Sequence, residues 1–198
     1  MVARQLCDGG ADLIQLRAKS LPVADLRRIA TTVLPVTRAA GVELVINDHF
    51  SLAWELGVSF AHLGQEDFFQ AERTHVKELS DSPPDAVAHS APLVGISTHA
   101  PTQARRAVEA GAAYLGVGPV YATGTKPSAT PVGLGYVGWA AQNVAIPWFA
   151  IGGVTLDNLD AVLAAGARRV CVVSAILRAP DVAQACRQFK DRLGSAPH

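Results

Sequence analysis

An all-parallel α/β fold is predicted for this chain, and three observations predict it. Short apolar runs recur along the sequence, several of them nearly continuous, as parallel strands buried on both faces are. Stretches of helical period lie between them and often close on Ala-Gly or Gly-Ala, the usual C-terminal stop of a helix. The connections are short, so strand and helix alternate in the manner of a parallel sheet.

The elements follow in order. Met1 to Gly10 reads as the back half of a helix that closes on Gly9-Gly10, and the first strand runs from Leu13 to Leu16. A helix over Ala24 to Ala40 carries Leu26, Ile29, Ala30, Val33 and Leu34 near helical spacing, with Gly41 behind it. Strands follow at Glu43 to Ile46 and Phe60 to Leu63. Ser80 to Pro92 contains Ser82-Pro83-Pro84 and Ala91-Pro92 and reads as irregular. The fourth strand is Leu93 to Ile96, and a helix from Thr102 to Ala110 stops at Gly111. The remaining strands are Tyr114 to Val117, Trp148 to Ile151 and Arg169 to Val173, with a helix over Leu156 to Ala165 that stops at Gly166.

Seven strands are one short of a closed (β/α)8 barrel. An open doubly wound sheet would carry a nucleotide loop, and no Gly-x-Gly-x-x-Gly follows the first strand here. The half-helix at the N-terminus points to a chain whose first strand and first half-helix are missing, which would leave two barrel edges unpaired. At 198 residues, the chain supports one good core and is expected to form a single domain over residues 1–198.

Bulk properties exclude several function classes. The formal net charge is zero, so no global field recruits nucleic acid or an anionic membrane. The longest apolar runs are strand-length, too short to span a bilayer. No charged region, apolar stretch and cleavage site open the chain. Cys7, Cys171 and Cys186 are odd in number and lack metal-ligand spacing, and Cys171 reads as a small hydrophobe in a strand. The expectation is a reduced, cytoplasmic protein without nucleic-acid or membrane partners, and a homo-oligomer is left open.

The candidate chemistry lies after the strands. Gln15, Arg17 and Lys19 alternate beyond the first strand, and period-two spacing turns all three to one side of an extended segment. Asn47-Asp48 follows the second strand, Gly64-Gln-Glu-Asp67 the third, and Ser97-Thr98-His99 the fourth. Gly152-Gly153 and Ser174-Ala175 follow the sixth and seventh. In a parallel barrel those ends share one face and converge across its mouth.

The most pointed segment runs from Tyr114 to Pro131. A strand ends in Gly118-Pro119, and the following loop holds Thr123, Gly124, Thr125 and Lys126. Hydroxyls and an ammonium beside glycine suit an anionic phosphate. Lysine is scarce: only Lys19, Lys77, Lys126 and Lys190 occur, which sharpens the placement of one on this loop. By charge, Asp48 and Asp67 are hard oxygen ligands for Mg²⁺ beside substrate phosphates. Arg17, Lys19 and Lys126 suit a departing diphosphate. Backbone N–H groups at Gly153 and Ser174 suit a monophosphate. Two anion sites and a metal point to two phosphorylated substrates. The spacing makes no Ser–His or Cys–His nucleophilic pair evident. His62 reads as a structural residue within a strand, and His99 as a capping or packing residue.

Seven segments carry a resemblance to one family. They are Gln15-Leu-Arg-Ala-Lys19, Ile46-Asn-Asp48, His62 to Asp67, Gly95-Ile-Ser-Thr-His99, Tyr114 to Lys126, Ala150-Ile-Gly-Gly-Val154 and Val172-Val-Ser-Ala-Ile176. In order and spacing they resemble the thiamine-phosphate synthase and thiazole tautomerase family over nearly the whole chain. The resemblance implies a TIM (β/α)8 barrel. It implies a transferase that joins hydroxymethylpyrimidine diphosphate to thiazole phosphate, releasing pyrophosphate. It assigns the pyrimidine diphosphate to Gln15, Leu16, Arg17, Ala18, Lys19, Asn47, Ser97 and Lys126, and Mg²⁺ to Asp48 and Asp67. The thiazole phosphate falls to Thr123, Gly124, Thr125, Gly153, Val173 and Ser174. Among these, Arg17, Lys19, Ser97 and Lys126 are expected to carry the catalysis. The family usually has Arg after Asn-Asp, where this chain has His49. The rival readings are a thiazole tautomerase on the same barrel and a non-catalytic thiazole-phosphate binder. Retained Asp48, Asp67 and Lys126 favour the synthase.

Overall fold

The computed structural model describes residues 1–80, 89–124 and 129–195. The chain opens on α1 (Val2–Asp8), β1 (Leu13–Leu16), α2 (Val23–Ala39), β2 (Glu43–Asn47), α3 (Phe50–Glu55) and β3 (Phe60–Leu63). It continues with α4 (Gln65–Gln70), β4 (Leu93–Thr98), α5 (Pro101–Glu109), β5 (Tyr114–Val117), α6 (Gly133–Asn143) and β6 (Trp148–Ile151). The last elements are α7 (Leu156–Ala164), β7 (Val170–Cys171), α8 (Ser174–Leu177) and α9 (Val182–Gly194).

The seven strands form one sheet in the order β1-β2-β3-β4-β5-β6-β7, and each neighbouring pair is parallel. Sequential order with helical crossovers curls the sheet toward a barrel. The curl brings Leu13 and Ile14 of β1 and Val170 of β7 to the wall of one interior cavity of about 350 Å³. Among the described residues β1 and β7 do not pair with each other, as the expected seven-strand count requires. The helical layer does close over that seam. α1 packs on both α2 and α9, Arg187 donates to the Asp8 carbonyl at 3.1 Å, and Lys190 Nζ lies 2.6 Å from Asp12 Oδ1.

Strand alternation divides the residues into two sets. Leu44, Ile46, Ala61, Leu63, Val94, Ile96, Leu115, Val117 and Ala150 are buried in the main core together with Leu26 and Ala30 of α2. Along the same strands, Val45, His62, Tyr114, Gly116, Phe149 and Ile151 line the barrel interior. Tyr114 projects into that interior. Its ring packs edge-on to Phe60 at 6.1 Å and to Phe149 at 5.7 Å, geometries that favour aromatic pairs. Gly95 on the neighbouring strand admits the ring, because a Cβ there would sit 2.0 Å from Tyr114 Cζ. Tyr114 thus lies below the mouth, which the next inward-facing strand residues, Asn47, His62, Ser97, Gly116 and Ile151, line.

The helix stops behave as their glycines predict. Gly41, Gly111 and Gly166 follow the C-caps of α2, α5 and α7 with φ of +67°, +82° and +101°, conformations that a side chain disfavours. α6 departs from what periodicity reveals. Gly133, Gly135 and Gly138 dilute its helical signal, and burial of Tyr136, Val137 and Ala140 holds it against the barrel. β7 is shorter than the predicted Arg169 to Val173, since only Val170 and Cys171 keep strand geometry before the chain turns into α8. Of the stretch read as irregular, residues 81–88 lie outside the described residues. No helix among the described residues is long and apolar enough to cross a membrane.

Candidate active site

The C-terminal ends of the strands surround a cavity of about 170 Å³. Gln15, Arg17 and Lys19 line it from the end of β1, Asn47 and Asp48 from β2, and Asp67 from the start of α4. Ser97 lines it from β4 and Thr123 from the loop after β5. Gly153, Val173 and Ser174 line it from beyond β6 and β7. The fold therefore brings both predicted anion sites to one cavity. Leu16 and Ala18 differ, because alternation turns their side chains onto the core. Gly124 is exposed and is not part of the cavity wall. Thr125 and Lys126 lie outside the described residues.

Electrostatics divides the mouth. Lys19 Nζ lies 3.4 Å from Asp48 Oδ2 and 3.6 Å from Asp67 Oδ2, so the two carboxylates meet on a single ammonium. Arg17 is exposed at the rim. Asp48 adopts φ +66°, a region few side chains visit and Asp tolerates better than most. Its N–H donates to the His62 carbonyl at 2.8 Å, which fixes the turn that presents the carboxylate. Asp67 is held close as well, since a Cβ on Gly64 would lie 2.9 Å from its Oδ2.

These residues suit Mg²⁺. Among the described residues no three acidic, imidazole or thiol groups form a protein cage. A pair of converging carboxylates is what this ion uses when waters and substrate phosphates complete its shell.

Sequence reasoning missed one contact, that of His62 with Ser97, and read His99 as the packing residue it is. His62 Nε2 is 2.8 Å from Ser97 Oγ, so the fold makes a Ser–His contact that spacing did not reveal. The side chain is buried, and burial lowers its pKa to about 4, which keeps the imidazole neutral at pH 7. Among the described residues His62 Nδ1 has no hydrogen-bond partner. No third group orients the ring as a nucleophile's base requires. His99 Nδ1 donates to the Gly118 carbonyl, and Nε2 lies 3.7 Å from Glu66 Oε1. The His99 N–H donates to Gln103 Oε1 at 2.6 Å. His99 thereby ties the segments after β4 and β5 together. Strand alternation turns position 62 inward, in register with Gly95 and Asn47, but its partner on the neighbouring strand is set only by the sheet register. Cys171 also lines the cavity, and burial pushes its thiol up to about 11, so it is protonated at neutral pH.

Close approach shapes the far side. Gly153 has φ +66°, and a Cβ there would fall 2.6 Å from the Ala122 carbonyl oxygen. The Gly-Gly turn after β6 and the loop after β5 are therefore in contact, with Thr123 beside them.

The thiamine monophosphate synthase family model matches residues 1–176. This chain belongs to that family. A thiamine-phosphate synthase of Thermus thermophilus is 46% identical over 186 residues, covering 93% of this chain and 84% of the relative. One from Methanospirillum hungatei is 38% identical over 194 residues, covering 96% and 87%. Among solved structures, thiamine phosphate pyrophosphorylase from Pyrococcus furiosus superimposes with a TM-score of 0.85 at 28% identity, covering 100% of this chain and 90% of that one. The TIM-like barrel that the resemblance implied is thus the fold of this family member.

Proposed function

We propose that this chain is a thiamine-phosphate synthase, a transferase that couples a pyrimidinylmethyl diphosphate to a thiazole phosphate. One observation carries the reading. Gln15, Arg17, Lys19, Asp48 and Asp67 line the same cavity as Thr123, Gly153 and Ser174, so the residues proposed for a diphosphate and those proposed for a monophosphate share one space. The family membership and the relatives named above support it.

The chemistry is charge management. As the C–O bond to the diphosphate breaks, its electron pair leaves with pyrophosphate, and negative charge grows on the leaving oxygens. Arg17 and Lys19 would meet that charge, with Lys126 proposed from the sequence as a third cation. Asp48 and Asp67 would hold Mg²⁺, which neutralises diphosphate charge when bound. The pyrimidinylmethyl carbon, now electron-poor, accepts the lone pair of the thiazole nitrogen, and the C–N bond forms. No proton need be removed for that bond, which agrees with a His62–Ser97 pair lacking an orienting carboxylate. Confining both substrates in one cavity supplies the alignment. Three unpaired thiols suit the reducing cytoplasm.

A metal titration tests the reading against its rivals. The synthase binds pyrophosphate tightly only with Mg²⁺ present, and EDTA abolishes turnover. Thiazole-phosphate binding that ignores Mg²⁺, with no turnover of both substrates together, would instead support the tautomerase or binder.

A further inference from the structure

We propose that His62 is a positioning residue for Ser97: its Nε2–H donates to Ser97 Oγ and leaves the serine hydroxyl proton free to be given to an anion in the cavity. The inference deepens the reading above, for which that anion is the substrate's diphosphate.

The argument starts from the two faces of the ring. Nε2 lies 2.8 Å from Ser97 Oγ, and Nδ1 is shielded from solvent without a partner among the described residues. A neutral imidazole carries one N–H, so two arrangements compete. If Nδ1 holds the proton, a buried donor has no acceptor, and Ser97 must turn its own proton onto Nε2. If Nε2 holds it, only an acceptor lone pair goes unmatched. Orphaned buried N–H groups are the rarer and costlier defect. The Nε2–H form therefore prevails. Ser97 then accepts from below and donates elsewhere, and Ser97 faces the mouth cavity.

The fold keeps the ring in that place. Tyr114 lies under it, ring centroids 5.6 Å apart and tilted by 33°. Gly116, in register with Ser97, leaves space beside it, since a Cβ there would already touch His62 Cε1 at 3.5 Å. Imidazole, phenol and glycine come from β3, β5 and β5 again, so the position of the hydroxyl on β4 is set by its strand neighbours. A serine on a strand end with no such support would rotate among its staggered wells.

Two measurements test this on the full chain. The first is ¹⁵N NMR of protein labelled in its histidine rings, with His62→Gln used to assign the signal. A protonated Nε2 and a bare Nδ1 are expected; a protonated Nδ1 would overturn the proposal, whatever reaction the protein performs. The second is kinetic. His62→Leu is expected to lower kcat about tenfold, the loss of one oriented hydrogen bond, with KM for the thiazole phosphate unchanged. His62→Gln, whose amide can still donate to Ser97, is expected to recover most of it. The double variant His62→Leu with Ser97→Ala is expected to be no slower than Ser97→Ala alone, because the imidazole acts only through the hydroxyl. Losses that multiply would assign His62 a role of its own. A wild-type chain without turnover would refute the synthase reading, and the tautomer measurement would still decide the placement of the proton.

Discussion

Lys19 Nζ and Asp48 Oδ2 are 3.4 Å apart, and the same ammonium reaches Asp67 Oδ2 at 3.6 Å. The contact joins the loops after β1, β2 and β3 at the mouth of the barrel. In the proposed reaction this charge matters, because the lysine and a bound divalent cation would compete for one pair of carboxylates while both would favour a diphosphate.

Lys19→Ala is therefore expected to separate three properties. The lysine side chain is 53% exposed, so the ion pair contributes less than about 1 kcal/mol and the melting temperature hardly moves. Turnover falls by about a hundredfold, as when one preorganised donor to a developing anion is lost. Mg²⁺ affinity without substrate stays the same or rises, since a competitor has gone. Calorimetric Mg²⁺ titration and a thermal melt check these together; weaker Mg²⁺ binding would show that the lysine organises the carboxylates rather than competing for them.

Asp48 combines the carboxylate proposed to hold Mg²⁺ with a left-handed backbone at φ +66°. Asp48→Asn keeps a side chain that tolerates this region, so loss of Mg²⁺-dependent turnover with an unchanged denaturation midpoint is expected. Asp48→Ala is expected to lose the same turnover and about 1 kcal/mol of stability in addition. Urea melts of the two variants give the comparison. Activity at the wild-type level in either would remove Asp48 from the metal site.

A buried relay supports the mouth from outside. Tyr136 of α6 donates to Thr98 Oγ1 at 2.7 Å, and Thr98 Oγ1 donates to the Gly116 carbonyl at 3.0 Å. Tyr136→Phe removes one hydrogen bond of this chain, and a loss of about 1 kcal/mol is expected. Substrate KM values are expected to hold, because neither Tyr136 nor Thr98 lines the mouth cavity. Chemical denaturation beside steady-state kinetics reads both.

His62 sets an acid limit on stability. Its pKa falls from the ordinary 6.5 to about 4 through burial. Between those values the unfolded chain binds a proton that the folded chain refuses, so stability is complete above pH 6.5 and declines as pH falls toward 4. The decline attributable to this one group is about 3 kcal/mol. His62→Phe is expected to flatten that part of the pH–stability curve, measured by urea unfolding at successive pH values. An unchanged slope would place the acid sensitivity elsewhere.

Much of the fold was legible because the sheet is parallel and buried. Leu13–Leu16, Phe60–Leu63, Tyr114–Val117 and Trp148–Ile151 form the strands that continuous apolar runs predict. The mouth residues were legible too, since strand ends in such a fold face one way. Two kinds of feature were hidden. α6 is held by burial of Tyr136 and Val137 despite its glycines, so tertiary packing overrides local propensity. The His62–Ser97 contact joins neighbouring strands whose register exists only after folding, and spacing along the chain carries no trace of it. Tyr114 over Gly95 is hidden for the same reason.

The central claim is that one cavity joins two phosphorylated substrates, and product formation tests it most directly. Purified chain is incubated with hydroxymethylpyrimidine diphosphate, thiazole phosphate and Mg²⁺, and both products are quantified. The account predicts thiamine phosphate and pyrophosphate in equal amounts, with neither formed when either substrate or the metal is withheld. Folded protein that binds both substrates and forms neither product would contradict it.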